Sequence, residues 1–600
     1  MKKLLNNPFF NAIKNISEIL EPDQKRRSLG MIALLFVNAV FDVIGIATIL
    51  PLVNAALDPK AVQTKWYLRE PYEFIGVEDH VTFMFILSVI IFTIFVIKNL
   101  ITVFIFYIQA RFCMNIAQRL SQNMFKYYYE QGYLHISGTD SGKKNYDVIT
   151  IPYYFSISYL LETLLLATEI LVLLIILVAI LFIDPSALLI LVLIIVPVFL
   201  GVYLITKNKT KAIGDQRNEL APQAISLLLD SFNAYTDVKL ANKESYFYDN
   251  FRQKMRKMND LDTLQQGVYG KIHQRINDIV LGLALVGIFG SALIFREKST
   301  EIMSLLTAFA LAGIRFLPSV NRIMGSTLVL KNMSFVINEL KPIAQKGFPD
   351  FREVVKMPIK GKIVLENIKY TYPASFQPVL NGVSMEIQKG ETIGIIGSSG
   401  SGKTTFLNLF LRMIQETEGS LKVDDQLINK NNNASFQKSI GFVQQLVYIK
   451  NGTLQENIAF GENPEEVNNE KLQKAINEAM LTDFVSSNPL GIQMPLGENG
   501  VMLSGGQRQR VGIARALYKD ADILVFDEAT SALDHETEKA IVTTINNLTK
   551  LQKTILIVAH RVTTLEMCDR IYELNNGKVN GIYSYKEVLS RIIDEPFHKN

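Results

Sequence analysis

Long apolar stretches in the first half of the chain constrain its fold more than any other feature. There are six of them, at residues 28–54, 82–110, 160–183, 187–206, 277–296 and 302–325. A helix of about 20 apolar residues crosses about 30 Å of hydrocarbon and satisfies its own backbone hydrogen bonds. One such stretch could be a buried helix of a soluble domain. Six in succession predict an all-α membrane domain with six transmembrane helices.

Basic residues indicate how these helices are oriented. Lys25, Arg26 and Arg27 precede the first stretch, and further lysines and arginines follow the second and the fourth. The connection between the first and second stretches is acidic instead. Because positive residues stay on the cytosolic side, we expect both termini in the cytosol. The connections 111–159 and 207–276 are then intracellular, and their helical pattern predicts that the spans continue well beyond the bilayer.

Composition divides the chain into four predicted segments: an amphipathic N-terminal segment 1–27, a transmembrane domain 28–343, a linker 344–360 and a second domain 361–595. Charged and apolar residues are mixed in the first segment, without the unbroken apolar core of a cleaved signal peptide, which favours an amphipathic helix at the membrane surface. The formal net charge of +4 is small for 600 residues and argues neither for nor against nucleic acid. A membrane protein of this kind is expected to have no nucleic-acid partner. Cys113 and Cys568 are placed on the cytosolic side, so no disulfide is expected.

The second domain contains a phosphate-binding loop. A predicted buried strand, ETIGIIG, leads directly into GSSGSGKTT and then into a predicted helix, which is the context that the P-loop pattern requires. Its glycines let backbone N–H groups surround phosphates, and the helix start adds positive potential. Lys403 is expected to reach the β- and γ-phosphates, and Thr404 to bind Mg²⁺. The predicted ATP-binding residues here are Gly397, Ser398, Ser399, Gly400, Ser401, Gly402, Lys403, Thr404 and Thr405.

A second apolar run, ILVFDE, ends in the carboxylates Asp527 and Glu528. Ligand sites of open α/β sheets lie at the carboxyl ends of the strands, so these acids are expected to face the P-loop. Asp527 is predicted to hold the metal ion, and Glu528 to polarise the attacking water. The C-terminal domain is therefore predicted to be an α/β P-loop ATPase.

The sequence LSGGQ at 503–507 makes the assignment specific, because here the chain resembles ATP-binding-cassette ATPases. The resemblance covers about residues 361–580. It implies that Tyr372 stacks on adenine and that Gln445 senses the γ-phosphate and binds the metal ion. It also implies that His560 is the switch histidine and that the loop from Ser531 to Asp534 crosses between subunits. Together with six predicted spans, it implies an exporter of the ATP-binding-cassette class with ATP and Mg²⁺ as cofactors.

The LSGGQ sequence also implies an assembly. In this family, the signature residues contact ATP that is held by the P-loop of the other subunit. They are Ser504, Gly505, Gly506 and Gln507 in this chain. One membrane domain and one ATPase domain per chain predict a symmetric homodimer with two composite ATP sites. A soluble ATPase is excluded by the apolar stretches, whereas an ATP-gated regulatory channel on the same fold remains an alternative.

Basic residues in the predicted spans suggest what is moved. Lys98, Arg275 and Arg322 lie near the expected inner boundary of the membrane, and Arg315 lies somewhat shallower. Arg315 and Arg322 are two helical turns apart and share one face, and guanidinium groups bind phosphate in two-pronged fashion. The alternative is that these side chains extend to the inner headgroups. We expect an anionic, lipid-linked substrate in contact with the bilayer.

The stretch IRFLPSVNRI at 314–323 resembles bacterial lipid-linked oligosaccharide flippases of N-glycosylation. That resemblance implies a polyprenyl-pyrophosphate-linked oligosaccharide as substrate and a location in the bacterial inner membrane. It also implies a short outer helix, for which residues 65–76 are the candidate, because their aromatic side chains suit a membrane interface. Exporters of lipid A, other lipids, peptides or drugs have the same ATPase motifs and remain alternatives.

Overall fold

The structure is a computed structural model, and it separates the chain into two compact units, Met1–Phe348 and Pro349–Asn600. The boundary falls inside the predicted linker. The described residues are 8–57, 61–77, 79–183, 185–272, 275–276, 279, 282, 286, 316, 318–344, 346, 348, 351, 353–373, 375–528, 535–550, 552–559 and 561–594.

The first unit, called the membrane unit here, has only helices as regular elements among its described residues. Its long helices are Pro22–Ala47, His80–Gln131, Glu162–Ile183 and Pro185–Asn233, and residues 318–332 are also helical. Shorter helices span Pro8–Ile19, Ile49–Leu57, Ala61–Thr64, Trp66–Ile75, Tyr133–Gly138, Ser141–Asn145, Ile151–Tyr154, Tyr235–Leu240, Glu244–Asp262 and Phe335–Ala344. Three π-helical turns occur at Tyr146–Thr150, Phe155–Leu161 and Thr263–Tyr269.

Three described helices are long and apolar enough to cross a membrane, over Pro22–Gly45, His80–Gln131 and Ser141–Val178. They coincide with most of the first three predicted spans, and the fourth, 187–206, lies inside helix Pro185–Asn233. The fifth span, 277–296, and the first part of the sixth, 302–325, lie outside the described residues apart from isolated positions. The count of six therefore stays a prediction.

The first predicted span, 28–54, is interrupted near its outer end. Helix Pro22–Ala47 stops before Thr48, and a new helix begins at Ile49. Pro51 explains the break, because proline has no N–H to donate to the carbonyl of residue 47 and is tolerated only in the first turn of a helix. The sequence reading took the apolar run as one helix and overlooked this proline.

The cytosolic extensions of these helices build their own core. Helix His80–Gln131 has 52 residues, about 78 Å at the usual rise per residue, so it continues far beyond the bilayer. Its buried residues Phe112, Ile116 and Leu120 share a hydrophobic cluster with Phe155. The N-terminal helix Pro8–Ile19 buries its apolar face in the same cluster, so this amphipathic segment is packed against protein.

The connection between the first two spans forms the short helix that was expected at residues 65–76. It runs from Trp66 to Ile75 and buries Leu68. The ring of Tyr72 packs edge-on against Phe83 at 5.0 Å between centroids. Trp66 and Phe74 are 76% and 92% exposed, so two large apolar rings project from the protein surface.

The second unit, called the ATPase unit, contains two sheets. The strands are β1 Lys362–Tyr370, β2 Leu380–Gln388, β3 Thr392–Ile396, β4 Glu418–Val423, β5 Gln426–Leu427, β6 Ile440–Val443, β7 Ile523–Asp527, β8 Thr554–Val558, β9 Arg570–Asn575 and β10 Lys578–Tyr583. A four-stranded antiparallel sheet has the order β2-β1-β4-β5, and a six-stranded sheet has the order β10-β9-β3-β8-β7-β6. In the larger sheet, strands β9, β3, β8, β7 and β6 run parallel, and β10 pairs antiparallel with β9.

Helices cover this parallel sheet, as buried parallel strands require. The α-helices of the ATPase unit are Lys403–Phe410, Asn433–Lys438, Leu454–Ile458, Asn469–Glu478, Thr482–Ser486, Gly505–Tyr518, His535–Thr549 and Tyr585–Asp594. The central strands β3, β7 and β8 are almost completely buried, and Leu524, Phe526, Ile555 and Ile557 belong to the main hydrophobic cluster.

Gly214 allows helix Pro185–Asn233 to pack closely against helix 318–332 in the membrane unit. A Cβ atom at Gly214 would lie 1.8 Å from the backbone oxygen of Asn332 on helix 318–332. At the same crossing, the Asn332 side-chain amide donates a hydrogen bond of 3.2 Å to the carbonyl oxygen of Thr210. The two backbones can approach this closely only because position 214 has no side chain.

We predict that Gly214→Ala lowers the stability of the membrane unit by about 1–3 kcal/mol, because the added methyl group must push the helices apart. Gly201→Ala on the same helix is the matched control, since no atom of the described residues lies within 4 Å of its added Cβ. Thermal unfolding of both variants in the same detergent measures the difference. Equal melting temperatures would show that the helices do not cross at Gly214.

Candidate functional site

The P-loop joins strand β3 to helix Lys403–Phe410, as the sequence predicts. Gly400 and Gly402 have φ angles of 80° and 102°, a left-handed backbone that favours glycine. Ser398, Ser399 and Gly400 are exposed, so the outer part of the loop is open to a ligand. The loop then ends at a helix N-terminus, where backbone N–H groups favour an anion.

Lys403 lies across this loop. Its ammonium group donates hydrogen bonds to the carbonyl oxygens of Gly397, at 2.8 Å, and Ser398, at 3.0 Å. Burial lowers the pKa of Lys403 from its ordinary value, and the charges of Glu528 and Asp527 act in the opposite direction. Both carboxylates therefore lie close enough to influence the lysine, which brings the two predicted halves of the site together.

Strand register explains this approach. Ile395 on β3 and Asp527 on β7 both pair with Val558 on the intervening strand β8. They therefore lie at the same level, separated by two interstrand spacings, or about 10 Å. Since β3, β7 and β8 are parallel, the P-loop and the acidic pair leave the same edge of the sheet.

Glu528 has a strained backbone at this edge. Its φ of 46° is rare for a residue with a long side chain, and its N–H donates to the carbonyl oxygen of Val558 at 2.9 Å. Its carboxylate accepts a hydrogen bond of 2.8 Å from the side-chain amide of Gln445. Strain of this kind is held by the surrounding structure and occurs often at functional sites.

Gln509 is a site residue that sequence reasoning missed. It lies on helix Gly505–Tyr518 and is 7% exposed. Its amide group donates to the backbone oxygens of Gln445, at 2.6 Å, and Gln444, at 3.3 Å. Gln509 therefore joins the signature helix to the segment that contacts Glu528. The sequence contained one sign that Gln509 faces the interior: it lies three residues after Gly506, on the buried face of the same helix.

The signature residues form the start of this helix. Ser504 is its N-cap and makes a capping box with Gln507: the hydroxyl accepts from the Gln507 N–H at 3.2 Å, and the Gln507 side chain accepts from the Ser504 N–H at 2.9 Å. Ser504 and Gly505 are exposed, whereas Gly506 is buried. The helix start therefore has donors on its surface for an anion from outside the chain.

Tyr372 is half-buried and contacts the P-loop helix. Its hydroxyl lies 3.2 Å from that of Thr405, and its ring packs edge-on against Tyr370 at 5.0 Å between centroids. Its predicted stacking on adenine stays a prediction. The remaining predicted residues Ser531, Asp534, His560 and Arg315 lie outside the described residues.

The predicted magnesium ligands share the chemistry that this ion requires. Thr404, Gln445 and Asp527 offer oxygen atoms, the donors that hard divalent cations prefer. The Thr404 side chain is exposed at the start of the P-loop helix. Gln445 directs its amide nitrogen to Glu528, so its amide oxygen is the atom that a metal ion would use. The residues present therefore fit a magnesium ion.

A cavity of about 760 Å³ lies inside the membrane unit and is called the membrane cavity here. Arg322 is one of its lining residues. Lys98 instead forms an ion pair of 2.7 Å with Asp42, and both side chains are 14% exposed. Asp42 also lines the cavity, and Arg275 has an exposed side chain. The sequence analysis singled out Lys98 but did not predict its pairing with Asp42.

Known sequence families match a segment in each of the two units. A model described as "ABC transporter" matches residues 380–531, and one described as "ABC transporter transmembrane region" matches residues 29–316. The chain belongs to the ABC transporter family. This ABC transporter contains a multi-pass membrane region followed by an ATP-binding ATPase domain, the two regions of an exporter half-transporter. The predicted family is therefore confirmed.

Curated relatives of this ABC transporter include ATP-dependent lipid A-core flippases. The protein from Cupriavidus metallidurans is 32% identical over 392 residues, which are 64% of this chain and 65% of that protein. The protein from Saccharophagus degradans is 32% identical over 405 residues, 66% of each chain. These alignments therefore cover slightly less than two thirds of the relatives.

A solved structure extends the similarity in fold to nearly the whole chain. The structure of a bacterial Atm1-family ABC exporter with ATP bound matches with a TM-score of 0.75 at 22% identity. The match covers 94% of this chain and 96% of that one. The predicted exporter fold, a helical membrane region followed by an α/β ATPase domain, is therefore confirmed.

We predict that Glu528→Gln lowers ATP hydrolysis by orders of magnitude while ATP still binds, because the amide preserves the shape but loses the charge that orients water. Steady-state phosphate release and nucleotide binding measure the two effects. The exposed Glu465→Gln is the matched control in the same unit. Near-normal turnover of Glu528→Gln would remove Glu528 from the reaction.

Proposed function

We propose that this chain forms a homodimeric exporter that uses ATP hydrolysis to flip a phosphorylated amphiphilic lipid across the bacterial inner membrane. The polyprenyl-pyrophosphate-linked oligosaccharide is our first candidate substrate. Closure of the ATPase domains around ATP would reorient the membrane helices, and hydrolysis would reset them.

The main support for the proposal is that the residues expected to bind ATP lie on two separate surfaces of the ATPase unit. The P-loop, Gln445 and Glu528 are joined at the carboxyl edge of the sheet. The exposed helix start at Ser504 forms a second surface with anion-binding donors. A second copy can complete each site by placing its Ser504 against the γ-phosphate, which favours a twofold symmetric dimer.

The chain's own residues then have distinct tasks in hydrolysis. Lys403 binds the phosphates, and Thr404, Gln445 and Asp527 would hold Mg²⁺, which neutralises phosphate charge when it is bound. Glu528 orients the attacking water. We assign His560 the switch role near the γ-phosphate, and Ser531 and Asp534 the loop between subunits; these three assignments rest on the family resemblance.

The lipid substrate is supported by the membrane unit and by the relatives. Arg322 lines the membrane cavity, where a guanidinium group suits a phosphate. The exposed rings of Trp66 and Phe74 suit contact with the outer membrane surface. A lipid of the lipid A-core type is the second candidate, because the curated relatives are flippases of that lipid. Cytosolic termini follow from the distribution of basic residues.

The shared ATP site predicts an unusual complementation. A mixed dimer of one Lys403→Ala subunit and one Ser504→Arg subunit has one site with both lesions and one with neither. If a single intact site can turn over, we expect measurable ATPase activity that both parent homodimers lack. Two affinity tags isolate the mixed dimer, and phosphate release is then measured.

Photocrosslinking provides the control for this experiment, because it does not depend on turnover by one site. An ATP analogue bound at the P-loop of one subunit should label the region of Ser504 in its partner. Labels confined to the subunit that holds the P-loop would contradict the composite site.

We predict that Arg315→Ala combined with Arg322→Ala abolishes lipid movement while basal ATP hydrolysis continues, because two forked donors to phosphate are lost. Each charged hydrogen bond contributes about 1.5–3 kcal/mol. Lysine at both positions should restore transport only in part. The exposed Arg111→Ala is the matched control. Normal flipping by the double alanine variant in proteoliposomes would show that these arginines do not bind the substrate.

A further inference from the structure

Three lysines lie close together near the predicted inner ends of two membrane helices. Lys207 and Lys211 are one turn apart on one face of helix Pro185–Asn233, and Lys331 lies on helix 318–332. We call these three residues the lysine cluster. Burial lowers the pKa of Lys331 from its ordinary value, and the positive charges of Lys211 and Lys207 lower it further. The three like charges are therefore near enough to repel one another.

Packing of the two helices brings the lysine cluster together. The side-chain amide of Asn332 donates a hydrogen bond of 3.2 Å to the carbonyl oxygen of Thr210, so the helices touch at this level. Each lysine lies within one turn of that contact along its own helix. Lys207 and Lys331 are half-buried, whereas Lys211 is exposed. The spacing of the cluster is therefore set by a helix crossing and not by a loop.

Acidic side chains do not neutralise the lysine cluster. Among the described residues, no aspartate or glutamate forms an ion pair with Lys207, Lys211 or Lys331. That includes Asp215, which is one turn after Lys211 on the same helix. The Lys207 ammonium instead lies 5.5 Å from the centre of the Tyr203 ring. Because burial and like charges both disfavour an ammonium group, an anion from outside the chain would stabilise the cluster.

Membrane topology alone does not explain this arrangement. Lysines that keep a connection in the cytosol can lie anywhere along it, and they need not meet or be buried. Lys209 shows the contrast, because it is exposed and lies on the opposite face of the same helix. The lysine cluster instead joins two helices and buries part of two side chains, as a binding site would.

The lysine cluster lies at the level of the inner headgroups. The predicted fourth and sixth spans end at residues 206 and 325, so the three lysines begin at most about 9 Å beyond the hydrocarbon. Long lysine side chains can reach back into the headgroup layer. Basic pockets between membrane helices on the cytoplasmic side bind phosphorylated headgroups. An inner-leaflet lipid is therefore the anion that this position favours.

We propose that the lysine cluster is a docking site that binds the pyrophosphate of the exported lipid at the inner membrane boundary, before the lipid enters the membrane cavity. This inference rests on the proposed function. Two phosphates that share one bridging oxygen bring adjacent negative charges to three ammonium groups, and each ammonium has three N–H donors for them. A single phosphate offers less charge, and the two phosphates of cardiolipin are separated by a glycerol.

The docking site is distinct from the membrane cavity. The described residues that line the cavity include Arg322 but none of the three lysines. Lys331 and Arg322 are nine residues apart on one helix, which places them on opposite faces and about 14 Å apart along the helix axis. A pyrophosphate held by the lysine cluster would therefore have to pass between helices to reach Arg322.

Binding of three lipids to the purified full chain in detergent tests the docking site. They are polyprenyl pyrophosphate, polyprenyl monophosphate with the same chain, and cardiolipin. Dissociation constants are measured in the Arg315→Ala and Arg322→Ala background, which removes the arginines assigned to the cavity. One lysine near an anionic surface contributes about a fivefold change in affinity. We therefore expect polyprenyl pyrophosphate to bind at least about tenfold more tightly than either other lipid.

Variants locate this binding in the lysine cluster. Glutamine at all three positions should weaken the binding of polyprenyl pyrophosphate at least about tenfold. Because it removes repulsion, this cluster variant should melt no lower than its parent, which separates lost binding from unfolding. The matched control replaces three exposed lysines of the same unit and should keep the affinity within about twofold. Its substitutions are Lys209→Gln, Lys243→Gln and Lys257→Gln. Arginine at the three cluster positions should retain binding and serves if the glutamine variant fails to fold.

The outcomes separate the docking site from the function on which it rests. Unchanged binding by the cluster variant, or an equal loss in the control variant, would overturn the docking site. Equally tight binding of cardiolipin or of the monophosphate would overturn its assignment to pyrophosphate. Flipping of the lipid-linked pyrophosphate oligosaccharide by the wild-type chain is measured separately in proteoliposomes. Flipping without dependence of binding on the lysines leaves export intact, whereas lysine-dependent binding without flipping overturns export and leaves the pyrophosphate site.

Discussion

Parallel pairing of β3, β8 and β7 is the constraint on which the ATP site depends. Val558 pairs with both Ile395 and Asp527, which fixes the levels of the P-loop and the acidic pair. Everything else at this edge follows from that register: Lys403 experiences the charge of both acids, and Glu528 can accept from Gln445. Gln509 then connects the signature helix to the same residues.

In the membrane unit, polar side chains need hydrogen-bond or ion-pair partners within the protein, because water is excluded from the bilayer. Asp42 pairs with Lys98, and Glu162 and Glu169 accept from serines on helix 318–332. These contacts hold the helices of the membrane unit together.

The sequence predicted the ATPase unit well, because each motif there follows a buried strand or begins a helix and so has a fixed position in the sheet. The position of Gln509 on the buried face of the signature helix could have been predicted, but its partner could not, because Gln445 lies far away in the chain. The break after Ala47 could have been predicted from Pro51. The pairing of Lys98 with Asp42 could not, since the order of helices in a bundle is not encoded in the hydropathy of any one of them.

The central claim is that ATP hydrolysis by this chain moves a lipid, and one measurement tests it most directly. Proteoliposomes containing the wild-type protein would be loaded with a lipid-linked pyrophosphate oligosaccharide, and lipid movement and phosphate release would be recorded in the same vesicles. We predict that the lipid moves with ATP and stops with a non-hydrolysable ATP analogue. Phosphate release without lipid movement for this substrate and for lipid A, or equal movement without ATP, would contradict the account.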